Sequence, residues 1–234
     1  MTPVTNEHDD VAEPAFLSAI RSGYDAIARD YAEHFRDLLA GQPLARGMLS
    51  AYAETVLAAG GGPVVDVGCG PGCVTAFLDS CGLSVSGLDL SAAMVEVARS
   101  QFPNLRFDIG SMTTLAIPDA TLAGIVAWYS IIHIPHDELP AVFAEFRRVL
   151  APGGHVLLGF QVGDEPLHLT NPFGHPVTLE FRRLSPDIIT GLLHDAGFVV
   201  TAHLIREPEE AERTRGTAHV PQAHLMVRLG QPPH

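Results

Sequence analysis

The apolar positions of this chain change period along its length, and those changes mark its elements. Ile20, Tyr24, Ile27, Tyr31, Phe35 and Leu38 fall three and four residues apart, which gives a helix one apolar face. Leu44, Met48, Leu49, Tyr52, Val56 and Leu57 predict a second amphipathic helix, ended by Gly60-Gly61-Gly62-Pro63. The pattern then shortens. Val64 to Val67 is an apolar run broken by glycines and a proline, followed by a helical stretch from about Cys73 to Cys81 and a second apolar run ending at Asp89. This reads as strand, glycine loop, helix, strand, acid. Ser91 is an N-cap for a helix to about Ser100. Leu105 to Ile109 predicts a third strand, and Leu122 to Trp128, almost wholly apolar, a fourth strand central in a parallel sheet. Asp137 caps a helix whose apolar face is Leu139, Val142, Phe143, Phe146, Val149 and Leu150. Ala151-Pro152-Gly153-Gly154 turns into a fifth strand, His155 to Phe160. Ser185-Pro186 opens a helix that ends near Gly197, and Phe198 to Ile205 and Ala223 to Leu229 are the last two strands. No internal repeat is present.

The glycine loop carries the clearest chemistry. Gly68, Gly70 and Gly72 lack Cβ atoms, so the loop can turn sharply and let a ligand lie against backbone. The following helix points its N-terminal amides into the same space. Asp89 ends the neighbouring parallel strand at a spacing from Gly70 close to the roughly 20 residues at which an acid reaches a ribose. A dinucleotide loop requires a third glycine where Cys73 stands, and Asp66, two residues before the first glycine, would repel a pyrophosphate. A carboxylate there suits a ligand with an ammonium group.

Val65-Asp66-Val67-Gly68-Cys69-Gly70-Pro71-Gly72 closely resembles the first motif of the class I S-adenosylmethionine-dependent methyltransferases. Phe146-Arg147-Arg148-Val149-Leu150-Ala151-Pro152-Gly153-Gly154 resembles the last common motif of that family, so the likeness spans about residues 20 to 160. It implies an α/β, Rossmann-like, doubly wound seven-stranded sheet of order 3-2-1-4-5-7-6, with the last strand antiparallel and helices on both faces. It also implies S-adenosyl-L-methionine as cofactor. Asp66, Gly68, Cys69 and Gly70 would lie under its methionine part, Asp89 and Leu90 at its ribose, and Met94, Gly110, Ser111 and Met112 around its adenine. Ser111 departs from the family, which has an acid there; Asp108 is a weak substitute because it lies on a strand. Tyr24-Asp25-Ala26-Ile27-Ala28-Arg29-Asp30-Tyr31 is similar to a family helix that closes over the cofactor, which adds Tyr24 and Tyr31 and makes 15–59 a helical lid; both tyrosines are equally readable as core. Trp128 and Tyr129 would line the cofactor or acceptor pocket. The run from Trp128 to Pro135, with Phe173-Gly174-His175-Pro176, resembles bacterial small-molecule methyltransferases without implying a particular acceptor.

Composition narrows the field. The chain has 234 residues, 47% hydrophobic, enough for one domain over residues 15–234 with a full core. Residues 1–14 read as a flexible acidic tail. With no run of membrane length and no signal-like start, a cytoplasmic monomer or homodimer is expected. All 14 basic residues are arginine, which excludes a lysine base, and a net charge of −13 without a basic footprint argues against nucleic acid. Cys69, Cys73 and Cys81 have no zinc spacing and read as small buried residues.

A sulfonium methyl is already electrophilic, so the protein must mainly align acceptor, methyl and sulfur; a base is optional. His133, just past the fourth strand, is the candidate base, and the alternatives are that it bonds the loop backbone or orients the acceptor. His168 and His175 lie in a polar, turn-rich insertion, 161–183, and are candidate acceptor contacts with His133. No standard ligand pattern supports a metal. The expected function is methyl transfer to a small-molecule acceptor. Two alternatives stay open: a protein of the same fold that binds the cofactor or S-adenosylhomocysteine without transfer, and a nicotinamide-dependent oxidoreductase.

Overall fold

A computed structural model describes residues 13–37, 39–208, 210 and 219–230. Apart from Glu13 and Pro14, the expected acidic tail lies outside the described residues, as does Leu38. Helices α1 (Ala15–His34) and α2 (Pro43–Ala58) precede a regular alternation: β1 (Pro63–Val67), α3 (Cys73–Ser80), β2 (Ser84–Asp89), α4 (Ala92–Gln101), β3 (Arg106–Ile109), β4 (Leu122–Trp128), α5 (Leu139–Val149) and β5 (Leu150–Gln161). A hairpin follows, β6 (Leu167–Thr170) and β7 (Thr178–Phe181), then α6 (Pro186–Asp195), β8 (Phe198–Arg206) and β9 (Gln222–Leu229). The seven-stranded sheet has the order β3-β2-β1-β4-β5-β9-β8. β1, β2, β3, β4 and β5 are mutually parallel, and β9 runs antiparallel to both neighbours. This is the expected fold and strand order, renumbered because the hairpin adds two strands outside the main sheet.

Period-two alternation sends each central strand to two cores. Val65, Val67, Ile125, Ala127, Val156 and Leu158 join α5 and α6 on one face. Val64, Val126 and Leu157 join Leu49, Tyr52 and Val56 of α2 and Leu78 of α3 on the other. In α5, Leu139, Val142, Phe143, Phe146 and Val149 are fully buried, as their spacing predicts; each such side chain contributes about 1.5–3 kcal/mol through removal from water.

Three local features differ from expectation. The Ala151–Gly154 turn lies inside β5: pairing to β4 jumps from Leu122↔Leu150 to Gly124↔His155, so the turn is an irregularity in an already paired strand. The N-cap of α5 is Glu138, with no side-chain cap bond, and a proline in the first turn takes the place of the Asp137 cap. β6, which no alternation announced, pairs antiparallel with β7.

Helix α1 is the seam that joins the hairpin to the sheet. Asp25 Oδ1 accepts from Ser91 Oγ at 2.6 Å and from the Ala93 amide at 3.1 Å, at the N-terminus of α4. On the hairpin side, a Cβ at Gly23 would lie 2.5 Å from Leu179 Cδ2. His175 Nε2 lies 2.7 Å from Asp30 Oδ2.

Candidate active site

The carboxyl ends of β1, β2, β3, β4 and β5 open into a cavity of about 520 Å³, roofed by α1 and the hairpin. Its floor is the loop after β1. Gly68 has φ 72°, and a Cβ there would collide with Ser130, whose hydroxyl donates to the Val67 carbonyl at 2.7 Å. Gly70 has φ 53°, and a Cβ there would meet no protein atom within 4 Å. The first glycine lets the loop pass under the end of β4. The second keeps backbone bare toward the cavity.

Two acids, Asp66 buried and Asp89 half-buried, face this floor. Asp89 accepts from the amides of Gly70 at 2.7 Å and Ser91 at 2.8 Å, so it shapes the loop; burial nonetheless pushes its carboxyl up to about 6. Asp66 is 1% exposed and accepts from Thr75 Oγ1 at 2.7 Å through one oxygen. Its other oxygen, Oδ1, has no partner among the described residues, and burial raises the group to about 7. A buried carboxylate oxygen left unpaired is costly. A cationic group of a ligand entering from the cavity would satisfy it, so the donor set fits a ligand carrying an ammonium group.

Beyond β4 the wall is aromatic and histidine-lined. Tyr129 has φ 55°, rare for a tyrosine and worth ~1–3 kcal/mol of strain. His224 stacks on Trp128 with ring centroids 4.6 Å apart, and Tyr129 Oη lies 3.4 Å from His224 Nε2. His133, on a one-turn 3-10 helix, Ile131–His133, is buried. Its Nδ1 lies 2.9 Å from the Glu180 carbonyl oxygen, which can only accept, so Nδ1 carries the proton. Burial, with a smaller effect from nearby Arg182, lowers the ring to about 4. The neutral ring therefore turns an Nε2 lone pair to Tyr24, whose hydroxyl donates to it at 2.7 Å. Burial holds the Tyr24 phenol well above its usual range. Arg182 Nη1 donates to the His133 carbonyl at 2.9 Å and ties the turn to the end of the hairpin.

A family pattern described as a methyltransferase domain matches residues 64–154. Over 98% of its length the chain is 26% identical to malonyl-[acyl-carrier protein] O-methyltransferase of Serratia marcescens, covering 95% of that protein. Two further curated relatives, 33% and 32% identical, are spanned for 53% and 52% of their own length. Among solved structures, the Burkholderia thailandensis 1,6-didemethyltoxoflavin-N1-methyltransferase, with bound 1,6-didemethyltoxoflavin and S-adenosylhomocysteine, superposes with a TM-score of 0.66 at 18% identity, covering 99% of this chain and 93% of that one. The [4+2]-cyclase SpnF superposes with a TM-score of 0.68 at 17% identity, covering 91% of this chain and 96% of that one. Residues 64–154 thus match a methyltransferase domain, and the fold is that of S-adenosylmethionine-dependent methyltransferases. Two solved structures of the same fold, at 17% and 22% identity, hold S-adenosylmethionine and S-adenosylhomocysteine.

The cavity is lined by Asp66, Gly68, Cys69 and Gly70 from the first loop and by Asp89, Leu90 and Met94 from the second. Gly110, Ser111 and Met112 line it after β3, Trp128, Tyr129 and His133 after β4, and Tyr24 and Tyr31 from above. Asp108 pairs with Arg106 at 2.7 Å and is not part of the lining. His168 and His175 are also outside it. Strand alternation explains His168: Leu167 and Leu169 reach the cavity, so the residue between them faces away. His175 is drawn to Asp30 on the outer side of α1. Lining residues that local pattern did not single out are Gln161, Arg206 and Gln222, which only the strand register brings together. Among the described residues no group of three or more His, Cys, Asp or Glu side chains is placed to hold a metal ion, and no helix is long and apolar enough to cross a membrane.

Proposed function

We propose that the protein transfers a methyl group from S-adenosylmethionine to a small-molecule acceptor held between the glycine loop and the roof formed by α1 and the hairpin. The observation that carries this reading is one continuous cavity, running from Asp66 and Gly70 to His133 and the hairpin, within the ~300–1,000 Å³ typical of small-molecule sites. The names of the Serratia and Burkholderia relatives, an O-methyltransferase and an N1-methyltransferase, support methyl transfer without fixing the accepting atom.

In this reading Asp66 Oδ1 receives the ammonium group of the methionine part, Asp89 the ribose hydroxyls, and Met94 with Met112 flanks the adenine. The cofactor supplies an electrophilic methyl carbon. The chain's own residues orient the acceptor and exclude water: Tyr24 and Tyr31 cover the loop, and His133 holds the Tyr24 hydroxyl in place. A neutral histidine with both nitrogens engaged and a basicity this low is a poor proton acceptor, so we assign His133 an orienting role over that of a general base.

Calorimetry with S-adenosylhomocysteine tests the cofactor site. Asp89→Ala loses both amide bonds that shape the loop as well as the ribose contact, and binding is expected to be lost. Wild-type affinity in that variant would overturn the assignment. Labelled cofactor incubated with a metabolite extract tests transfer; persistent absence of labelled product favours a non-methylating use of the fold, which SpnF shares.

A further inference from the structure

One stretch of the cavity wall has no role in that reading. Gln161 on β5 stands opposite Gln222 on β9. Residues opposite one another in a sheet put their side chains on the same face, and both glutamines line the cavity. One row deeper on that face, Gly159 of β5 pairs with Trp128 of β4 on one side and His224 of β9 on the other. A Cβ at Gly159 would lie 3.1 Å from Trp128 Cε3 and 3.4 Å from His224 Cδ2, so the bare strand leaves room for the stacked indole and imidazole. The wall thus passes from an aromatic floor to a row of two amides.

The two amides are arranged for a ligand rather than for each other. Gln222 is 3% exposed, and its one side-chain hydrogen bond among the described residues runs from Nε2 to the Val220 carbonyl at 2.7 Å. A carbonyl can only accept, so that contact fixes which end of the amide is nitrogen and leaves Oε1 as an acceptor. Gln161 Oε1 is buried with no hydrogen-bond partner among the described residues, and so is Trp128 Nε1. Buried polar atoms left unpaired are costly. The last torsion of a glutamine is broad, so the Gln161 amide can turn either end to a ligand. Arg206 on β8 comes next in the row and already has an interaction of its own, so the two amides are the open groups. The roof facing the sheet is largely apolar, with Leu17 and Ile20 from α1 and Leu167, Leu169 and Phe173 from the hairpin. The acids of the cavity, Asp66 and Asp89, lie on β1 and β2. At about 4.8 Å per strand, β5 and β9 stand roughly 10 and 14 Å from β1.

Resting on the methyltransferase reading, we propose that the acceptor is an uncharged molecule with an apolar body and a carboxamide-type group, a primary amide or a lactam, at the end that is not methylated. Gln222 Oε1 accepts from the N–H of that group, and the Gln161 amide, turned to donate, bonds its carbonyl. The apolar body lies under α1 and the hairpin. A carboxylate or an ester has no proton to give Gln222, so either would leave Oε1 unpaired in a closed site, the kind of loss that discriminates strongly between ligands. An ammonium group could donate there, but it would give up its water far from both acids. Gln161 and Gln222 are then specificity-determining residues, acting on the end of the acceptor that does not react.

The test uses the full chain loaded with S-adenosylhomocysteine and one apolar body with four head groups: 3-phenylpropanamide, methyl 3-phenylpropanoate, 3-phenylpropanoate and 3-phenylpropylamine, titrated by calorimetry. The amide is expected to bind at least about tenfold more tightly than each of the others. Gln222→Leu should abolish the preference for amide over ester, because Oε1 is the group that reads the N–H. Gln161→Leu should weaken amide and ester alike, by about threefold or more, because both offer a carbonyl. Unchanged S-adenosylhomocysteine affinity shows that each variant is folded, and the wild-type series decides the proposal even where a variant is not. Equal binding of amide and ester, tighter binding of the acid or the amine, a preference that survives Gln222→Leu in a folded variant, or no binding of the amide at millimolar concentration overturns the proposal. Failure of the wild type to bind S-adenosylhomocysteine would instead count against the methyltransferase reading itself, so the two failures are told apart in one experiment.

Discussion

Asp66 is held in a state that does not favour the free protein. It is 1% exposed, one of its oxygens has no partner among the described residues, and burial raises its carboxyl to about 7. Strain of this kind is expected where a ligand completes the site. Asp66→Asn keeps an oxygen for the Thr75 hydroxyl and removes the buried charge. At pH 8, where the aspartate is ionised, the free variant should melt higher, by roughly 2–4 °C for each kcal/mol relieved, while its affinity for S-adenosylhomocysteine falls at least about tenfold. Differential scanning calorimetry and titration read the two effects; a variant that loses both stability and affinity would show that Asp66 is structural. The Tyr24–His133 pair is a second test at this scale. Tyr24→Phe strands a buried Nε2 lone pair and should cost about 1–3 kcal/mol in urea unfolding, whereas Tyr24→Phe with His133→Leu replaces both partners by apolar groups and should recover part of that loss. Strictly additive losses would deny the coupling. Asp66, Asp89 and the three glycines were legible in the sequence because their meaning lies in local spacing. Gln161, Gln222 and Arg206 were not, because nothing local relates residues on three different strands until the register of β5, β9 and β8 is known.

At the scale of elements, the roof depends on how α1 is pinned. Asp25 bonds both Ser91 and the Ala93 amide, so one carboxylate supports the N-terminus of α4 and docks α1 beside the cofactor loop. Asp25→Ala should lower overall stability by about 0.5–2 kcal/mol. Its larger effect should be local: amide exchange over 15–34 should speed up while the central strands keep their protection, and S-adenosylhomocysteine should dissociate faster. Uniform acceleration across the sheet would mean that α1 is not a separable cover. The helices of this protein could be read from apolar spacing alone. β6 could not, since Leu167, His168, Leu169 and Thr170 are all exposed and carry no buried face to pattern them. The alternation in that strand is what set His168 on the outside and its leucine neighbours in the cavity.

Across the whole molecule, four titratable groups set an opposed pair of pH dependences. Asp66 and Asp89 are raised from 3.8 to about 7 and about 6, and His133 and His224 are lowered from 6.5 to about 4 each, burial being the main cause in all four. The raised acids bind protons more tightly in the folded state, so their contribution is fully present below the unfolded value and is lost as pH rises through about 6 to 7. The depressed histidines contribute stability above about 6.5 that is lost as pH falls toward about 4. Between those limits the two slopes oppose each other and are of similar size, so these groups leave the stability of the free protein nearly level. Ligand binding breaks that balance, because an ammonium group selects the ionised form of Asp66 while the two histidines stay neutral. Affinity for S-adenosylhomocysteine should therefore rise with pH, by up to about tenfold per unit below about 7, and level off above it. In Asp66→Asn the rise should flatten, leaving the shallower contribution of Asp89. Calorimetric titrations from about pH 5.5 to 8.5, the span over which Asp66 and Asp89 ionise, distinguish the outcomes. A wild-type affinity that does not change with pH, or a variant that keeps the full slope, would place the ammonium group elsewhere in the cavity. The proton released on binding gives a second reading of the same linkage, since the apparent binding enthalpy should vary with the ionisation enthalpy of the buffer in the wild type and much less in Asp66→Asn.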